Sequence, residues 1–318
     1  MTPDDVVPVA ITRRSGFDES VHFGAVVGLG PDGSIEFAAG NPGALVFPRS
    51  SNKPMQAVAM VRAGLSLPPD LLALVCASHD GTDEHLHAAR RILASAGLTE
   101  DALANTPSMP LDVTTAQRVV RDGGGPTRLQ MNCSGKHSGM VATCVCNGWA
   151  HDASYLSFDH PLQVAITSVI GELADEPHAH IGVDGCGAPA HVMSLLGLAR
   201  SFRAIATGAA GDAGTAVYEA MTSNPVMVGG VSRDVTQFMQ HVPGLMAKDG
   251  ADGVFAAALP DGRAVALKIA DGGDRARPPV MVAALHALGI DVARVAPLVE
   301  QTLLGHGRPV GTVRSIVP

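Results

Sequence analysis

Ser50 and Lys53 lie three positions apart, at a point where the sequence predicts the start of a helix. At this spacing two side chains share one helix face, so the amine can approach the hydroxyl. A serine hydroxyl becomes an effective nucleophile when a neighbouring base removes its proton, and a desolvated lysine can act as that base. The pair is therefore compatible with covalent catalysis. The alternative is that Ser50 or Ser51 only caps the helix and that Lys53 lies in solvent.

Lysine is scarce in this chain, since only four of the 22 basic residues are lysine. Lys53, Lys136 and Lys248 each stand in a segment rich in small and polar residues, and the fourth is Lys268. Arginine keeps its proton at any working pH, whereas a buried lysine can lose it and serve as a base or a metal ligand. The alternative is a genome that favours arginine, with these lysines left by chance. Three site-like settings at once favour a functional role.

A second candidate hydroxyl belongs to Ser78, in the segment Cys76-Ala77-Ser78-His79-Asp80-Gly81. This segment follows the apolar run Leu71–Val75. Reactive side chains are often displayed where a buried element opens into polar residues and glycine. The alternative is that the segment only caps the next helix.

Two cysteines with polar neighbours are the candidate metal ligands. Cys133 precedes a segment that contains Lys136 and His137, and Cys186 follows Asp184 between glycines. Zinc favours thiolate ligands in tetrahedral geometry, so the two sulfurs could hold Zn²⁺. The residue types leave the third ligand open among His137, Asp184 and Lys136. The alternatives are ordinary buried thiols, or a cysteine that acts as the nucleophile.

The elements that must position these residues follow from hydropathy patterns. Strand patterns lie at both ends of the chain and helical patterns lie between them. The sequence predicts one α/β domain over residues 1–318, with a mainly antiparallel sheet that contains the N- and C-terminal strands and is flanked by helices. The predicted strands are Val6–Thr12, Val21–Leu29, Ser34–Ala38, Val254–Leu259, Ala264–Ile269 and Gly311–Val317. The predicted helices include Asp83–Ala96, His160–Leu173, His191–Thr207, Val280–Leu288 and Val292–Leu304.

Composition narrows the function classes. Hydrophobic residues make up 46% of the 318 residues, which excludes a disordered chain, and the net charge of −8 argues against nucleic acid as a partner. No run of about 18 apolar residues is present, so no membrane span is expected. The start of the chain, Met1–Asp5, is acidic where a secretion signal would be basic. Five cysteines at irregular spacing favour reduced thiols and a cytoplasmic location.

Taken together, the motifs resemble those of the asparaginase II family, and the similarity runs over nearly the whole chain. The motifs that carry the resemblance are Arg49-Ser50-x-x-Lys53-Pro54, Ala77-Ser78-His79, the segment Met131–Met140, and Asp184-Gly185-Cys186-Gly187-Ala188-Pro189. Departures include Asn224-Pro225 where His-Pro is expected, Gly81-Thr82 for Gly-Glu, and Asp252 for a glutamate in the segment Lys248–Gly253. The resemblance implies a serine-β-lactamase-like fold and hydrolysis of L-asparagine to L-aspartate and ammonia.

The resemblance also implies two catalytic Ser–Lys pairs. They fall here on Ser50 with Lys53, and on Ser78 with a later lysine. Lys248 is preferred because its K-x-G setting resembles the third motif of serine β-lactamases, and Lys268 is the second choice. Backbone amides near Ser50 or Ser78 are expected to hold the oxyanion.

Metal and substrate ligands are implied in the same way. The resemblance points to zinc held by Cys133, Cys186 and Lys136, with water as the fourth ligand. Arg49 would suit the substrate α-carboxylate. The remaining candidate substrate contacts are Asp184, which would take the α-ammonium, together with His137 and Asn132. A homodimer is implied as well.

Several rival functions remain open at this point. Within the same chemistry they are a glutaminase and a β-lactamase-like hydrolase. A non-catalytic protein that binds zinc or an amino acid is a rival of a different class. A further one is an amidohydrolase that uses Cys133 as its nucleophile.

Overall fold

The computed structural model describes residues 1–317, and two sheets organise them; residue 318, the end of the predicted domain, lies outside this range. The strands are β1 (Val7–Arg14), β2 (Phe17–Leu29), β3 (Ile35–Ala39), β4 (Leu45–Val46), β5 (His180–Val183), β6 (Pro189–Ser194), β7 (Met246–Gly250), β8 (Val254–Ala258), β9 (Ala264–Ile269), β10 (Gln301–Gly305) and β11 (Arg308–Ser315). The larger, eight-stranded sheet has the order β10-β11-β1-β2-β9-β8-β7, with β3 paired to β2. The smaller sheet has the order β4-β6-β5.

Helices fill the middle of the chain and return near its end. They are α1 (Lys53–Arg62), α2 (Pro69–Val75), α3 (Asp83–Ser95), α4 (Val113–Arg121), α5 (Ser134–Asn147), α6 (Pro161–Ala174), α7 (Leu195–Ala206), α8 (Gly211–Ser223), α9 (Pro225–Val228), α10 (Asp234–His241) and α11 (Arg277–Ala287). Helices α7 and α11 pack on the central strands of the large sheet, while α1, α2, α5, α6 and α8 pack on one another. In residues 1–317, none of the helices is long and apolar enough to cross a membrane.

The two ends of the chain share the large sheet, as the sequence predicts. Strand β1 lies between β2 and β11 and is antiparallel to both, with Ala10 opposite Ser315. The predicted hairpin Val254–Leu259 and Ala264–Ile269 is confirmed as β8 and β9. Both strands are almost entirely buried. Because helices cover them, they read as apolar runs without polar alternation. The predicted α/β class with a mainly antiparallel sheet is therefore confirmed.

Two predicted helices are wrong in part or entirely. The range His191–Thr207 begins with the end of β6, and the helix starts only at Leu195. The Ser194 hydroxyl accepts a hydrogen bond from the Gly197 amide at 2.8 Å and so caps this helix. The range Val292–Leu304 holds a short 3₁₀ turn at Ala296–Leu298 and then β10. Pairing with β11 determines the conformation of this segment, which its own helical pattern does not reveal.

The small sheet contains the hairpin that presents one cysteine. Strands β5 and β6 pair antiparallel, with Val183 opposite Pro189. The loop between them carries Asp184 and Cys186, and the Asp184 amide donates to the Ala188 carbonyl at 2.9 Å. This tight loop holds the Cys186 side chain in the interior, where it is almost completely buried.

Candidate active site

Lys53 and Ser78 form the one amine–hydroxyl contact between a lysine and a serine in residues 1–317. Lys53 is the first residue of α1, and Ser78 lies just beyond the end of α2, a helix that packs against α1. Lys53 Nζ donates to Ser78 Oγ at 3.1 Å and to the Ala77 carbonyl at 2.5 Å. Both side chains are buried. A buried amine that contacts a serine hydroxyl is an arrangement that can activate the hydroxyl as a nucleophile.

The predicted contact between Ser50 and Lys53 is not formed. Ser50 lies in the 3₁₀ turn Arg49–Asn52, and the α-helix begins only at Lys53. The two residues therefore do not occupy one face of a regular α-helix, and the Lys53 amine is directed to Ala77 and Ser78. The neighbouring Ser51 hydroxyl donates to the Lys248 carbonyl at 3.0 Å and so ties the turn to β7.

The amine of Lys248 also has a different partner from the predicted one. Lys248 is fully buried on β7, and its Nζ donates to the Asp249 carbonyl at 2.7 Å and to the Asp249 carboxylate. In the part of the chain that the structure describes it makes no hydrogen bond to Ser78. Burial lowers the pKa of Lys248 to about 8, with the charge of Lys53 acting in the same direction and Asp249 opposing it. A part of the Lys248 population is therefore neutral near neutral pH.

Lys268, the second choice for the later lysine, makes no hydrogen bond to either serine in the described residues. Its Nζ donates to the Ile269 carbonyl at 2.8 Å and to the Asp252 carbonyl. Burial lowers its pKa, and the charges of Asp252 and Asp271 oppose this effect. The charge of Lys53 acts on the Lys248 amine, whereas that of Arg49 acts on the Lys268 amine.

Three side chains from two elements form the sulfur-rich cluster. Lys136 lies on the first turn of α5, a helix that begins directly after Cys133, and Cys186 comes from the β5–β6 loop. Lys136 Nζ donates to Cys186 Sγ at 3.2 Å, and all three side chains are buried. All five cysteines of the chain are free thiols. The predicted neighbourhood of two sulfurs distant in sequence is thus formed.

Charge is concentrated on one of the two sulfurs. The facing Cys133 thiol and the Lys136 ammonium lower the pKa of Cys186 well below its usual range, against the opposing effect of burial. Cys133 itself has a raised pKa because it faces Cys186 and is buried. Burial would lower the pKa of Lys136, but the sulfurs of Cys186 and Cys133 raise it above its usual value. These shifts favour the charged forms of Cys186 and Lys136 and the neutral form of Cys133.

The donor set fits zinc. Two sulfurs and a nitrogen in a buried site would suit this metal once the Cys133 thiol and the Lys136 ammonium have lost their protons. Among residues 1–317, no group of three or more His, Cys, Asp or Glu side chains is arranged to hold a metal. The nitrogen donor that the family resemblance implies is the Lys136 amine, which contacts Cys186. His137 lies beside the cluster; its Nδ1 is 2.7 Å from the Tyr155 hydroxyl, and its buried Nε2 has no hydrogen-bond partner in the described residues.

Two of the four predicted substrate ligands, Arg49 and Asp184, contact each other in the structure. Arg49 Nε donates to Asp184 Oδ1 at 2.9 Å, and the same guanidinium is also bonded to Asp252. Arg49 has a φ of 51°, a left-handed conformation that is uncommon for arginine. Asn132 is half-buried; its carbonyl accepts from the His79 amide at 3.1 Å and its side-chain oxygen accepts from Cys133 Sγ.

The predicted oxyanion donor at Ser78 is already used. The Ser78 amide donates to the Val228 carbonyl at 3.0 Å, and the Asp80 amide donates to the Gly229 carbonyl at 2.8 Å. Sequence reasoning also missed Tyr155 and Asp249 as neighbours of the candidate residues. The adjacency of Asp249 to Lys248 was a usable signal. The sequence contains no signal for the role of Tyr155, because its contact with His137 depends on how the 3₁₀ turn Ala153–Leu156 packs against α5.

Comparisons with known proteins place this geometry in a family. The profile described as L-asparaginase II matches residues 10–315. A search of curated proteins finds no match. Among solved structures, Mglu in its glutamate form is 14% identical with a TM-score of 0.45, covering 83% of this chain and 60% of Mglu. A β-lactamase from Mycobacterium bovis is 16% identical with a TM-score of 0.39, covering 83% of this chain and 94% of that protein.

The chain spans about 60% of the length of the Mglu structure that it matches. The match to the family profile, in contrast, extends over both ends of the large sheet and over every motif described above. It agrees with the serine-β-lactamase-like fold expected from the sequence. The chain belongs to the L-asparaginase II family, a family of amidohydrolases.

Proposed function

We propose that this protein hydrolyses the side-chain amide of L-asparagine to L-aspartate and ammonia, with Ser78 as the nucleophile and Lys53 as its base. The observation that carries the proposal is the contact of 3.1 Å between Lys53 Nζ and Ser78 Oγ in a buried site. Family membership supports the reaction class. The hydroxyl lies just beyond the end of α2.

The reaction proceeds in two steps. Ser78 Oγ forms a bond to the amide carbon while the Lys53 amine takes the hydroxyl proton. The C–N bond then breaks, and a lysine ammonium protonates the leaving nitrogen, which departs as ammonia. Water attacks the resulting ester, the carbon–oxygen bond to Ser78 breaks, and L-aspartate is released with the hydroxyl restored. Lys248 is the second amine proposed to handle protons, since its pKa of about 8 lets it accept or donate near neutral pH.

Arg49 and Asp184 suit the two charged groups of an α-amino acid. The guanidinium would bind the α-carboxylate and the Asp184 carboxylate would bind the α-ammonium, so the Arg49–Asp184 ion pair would open around a zwitterion. His137 and Asn132 are proposed to complete the substrate pocket. Ser50 is retained as a second candidate hydroxyl, because the turn that contains it also carries Arg49.

Cys133, Lys136 and Cys186 are proposed to hold zinc. When bound, the ion supplies positive charge that orders the pocket next to Ser78. The His79 amide and the Asn132 carbonyl connect the Ser78 segment to the residue before Cys133. A homodimer in the cytoplasm, built from a single domain, remains the prediction for the assembled protein.

Ammonia release from L-asparagine and L-glutamine, measured side by side, tests the proposal. We expect a higher kcat/KM for L-asparagine, and loss of activity in Ser78→Ala. Cys146→Ser, which replaces an exposed thiol outside the cluster, is the control and should match the wild type. Preferential turnover of L-glutamine would contradict the substrate assignment, and wild-type activity in Ser78→Ala would contradict the mechanism.

A further inference from the structure

Arg233 lies between two carboxylates that come from different parts of the fold. Its Nη2 donates to Asp249 Oδ2 at 2.7 Å, and its Nη1 lies 3.5 Å from Asp80 Oδ1. The Asp80 and Asp249 side chains are 8% and 5% exposed, and that of Arg233 is 26% exposed. Two carboxylates this deeply buried need a compensating charge, and the planar guanidinium can serve both at once.

Each of these carboxylates is close in sequence to a residue of the proposed reaction. Asp80 follows Ser78 by two positions, and Asp249 follows Lys248 directly. Asp249 shares its two oxygens, since Oδ1 contacts the Lys248 amine and Oδ2 contacts Arg233. Arg233 is therefore connected to the nucleophile segment on one side and to the second amine on the other.

The backbone just before Arg233 is hydrogen-bonded to the segment that contains Ser78. The carbonyls of Val228 and Gly229 accept hydrogen bonds from the amides of Ser78 and Asp80. A Cβ atom at Gly230 would overlap the Asp80 carboxylate, so a glycine is needed where the carboxylate turns toward Arg233. Backbone and side-chain contacts thus fix the same two segments against each other.

We propose that Arg233 is a positioning residue for the proposed hydrolysis, which holds the Ser78 segment and the Lys248 strand in register by binding Asp80 and Asp249 together. The inference rests on the proposed function of Ser78 and Lys248. Arg233 acts through the two carboxylates and does not touch the reacting atoms.

The charges around Lys248 give this role a measurable signature. Burial lowers the pKa of Lys248, Asp249 opposes this effect, and the charges of Lys53 and Arg233 lower it further. A further neighbour is the Cys76 thiol, whose own pKa is raised to about 12 by burial, so that it stays neutral. Arg277 also acts on Asp249, so loss of the Arg233 charge leaves Asp249 to Lys248 and Arg277. The pKa of Lys248 must then rise.

The test compares Arg233→Gln, which removes the charge, with Arg233→Lys, which keeps the charge but cannot span two carboxylates. The matched control is Arg62→Gln, which removes an arginine of similar exposure that ties α1 to Glu172 and the Ala210 carbonyl. Readouts are kcat, KM and the pH profile of L-asparagine hydrolysis. The pKa of Lys248 is followed by ¹³C NMR of ε-labelled lysine, where the four lysines are assigned by single substitutions.

We expect Arg233→Gln to lower kcat by about tenfold or more with a smaller change in KM, because misplaced catalytic groups slow chemistry. The Lys248 titration and the limb of the pH profile near pH 8 should both move upward by about half a pH unit or more. Arg233→Lys should keep the wild-type pH profile near pH 8, and its kcat should be lower than that of the wild type. Arg62→Gln should match the wild type in all readouts.

The inference would be overturned if Arg233→Gln folds and shows the wild-type Lys248 titration, the wild-type pH profile near pH 8 and the wild-type kcat. If Arg233→Gln does not fold, Arg233→Lys decides, and wild-type kcat in that variant would show that the bridge is not needed. If the wild type releases no ammonia from L-asparagine, the proposed function fails by itself. The NMR titration then still reports whether Arg233 sets the charge state of Lys248, and an unmoved titration overturns that role.

Discussion

Lys53 Nζ lies 3.1 Å from Ser78 Oγ, although the two residues are separated by 25 positions in the sequence. Ser50, which is only three positions from Lys53, makes no such contact in the described residues. The packing of α1 against α2 creates the buried pair, because Lys53 begins one helix and Ser78 follows the end of the other.

Replacement of the paired side chains should abolish turnover. We expect Ser78→Ala and Lys53→Met each to lower kcat for L-asparagine by at least about a thousandfold, since either change removes the activated hydroxyl. Ser50→Ala should lose less. Steady-state ammonia release measures all three, with circular dichroism to verify folding. A smaller loss in Ser78→Ala than in Ser50→Ala would reverse the assignment of the nucleophile.

The sulfur cluster predicts a specific pattern of metal retention. Cys186→Ser and Lys136→Met should each lose zinc, because each removes a donor from a three-donor set. Cys146→Ser should retain it. Metal content by mass spectrometry after gel filtration measures the effect. Zinc should also be released as the pH falls, since thiolate and amine ligands must be deprotonated to bind it. Equal zinc content in Cys186→Ser and the wild type would contradict the proposed ligands.

His191 predicts acid sensitivity of the folded state. Burial, reinforced by the charges of His178 and Lys136, lowers its pKa from 6.5 to about 4. Between these values the unfolded chain binds the proton and the folded one does not, so stability falls as the pH drops from 6.5 to 4. The loss amounts to about 3 kcal/mol at most.

Urea unfolding at several pH values checks this expectation. The free energy of unfolding of His191→Gln should fall less steeply over this range than that of the wild type. His306→Gln, which changes an exposed histidine in the β10–β11 turn, is the control and should follow the wild type. Parallel curves for His191→Gln and the wild type would show that His191 does not contribute.

Asp252 should tune substrate affinity. It is the aspartate that replaces an expected glutamate, and its exposed carboxylate shares the Arg49 guanidinium with Asp184. Asp252→Asn should free Arg49 for the substrate carboxylate and lower KM for L-asparagine by about twofold to tenfold with little change in kcat. Asp261→Asn, which breaks an ion pair with Arg263, is the control. An unchanged or higher KM in Asp252→Asn would contradict competition for Arg49.

Local patterns were sufficient for much of the sheet. The hairpin of β8 and β9 has an apolar run on each side of a Pro-Asp-Gly turn, and both signals are contained in a short stretch of sequence. Strand β10 could not be predicted in this way. Its residues fit a helical period equally well, and only pairing with β11 decides their conformation.

The candidate site shows the same difference between local patterns and contacts that depend on packing. Residue types and motif resemblance singled out Ser78, Lys53, Cys133 and Cys186. The contact partner of each side chain is harder to predict from the sequence, because it depends on packing between elements. The sequence pairs Lys53 with Ser50, three positions away, whereas helix packing directs it to Ser78. The sequence assigns Arg49 to the α-carboxylate and Asp184 to the α-ammonium of the substrate, and in the structure the two residues bind each other.

Peptide mass spectrometry of protein quenched in acid during turnover of L-asparagine tests the central claim most directly. Trypsin separates the two candidate hydroxyls, since Ser50 falls in the peptide 50–62 and Ser78 in the peptide 63–90. We predict an aspartyl ester on Ser78, absent when Lys53 is replaced by Met. An aspartyl group on Ser50 or Cys133, with Ser78 unmodified, would contradict the account.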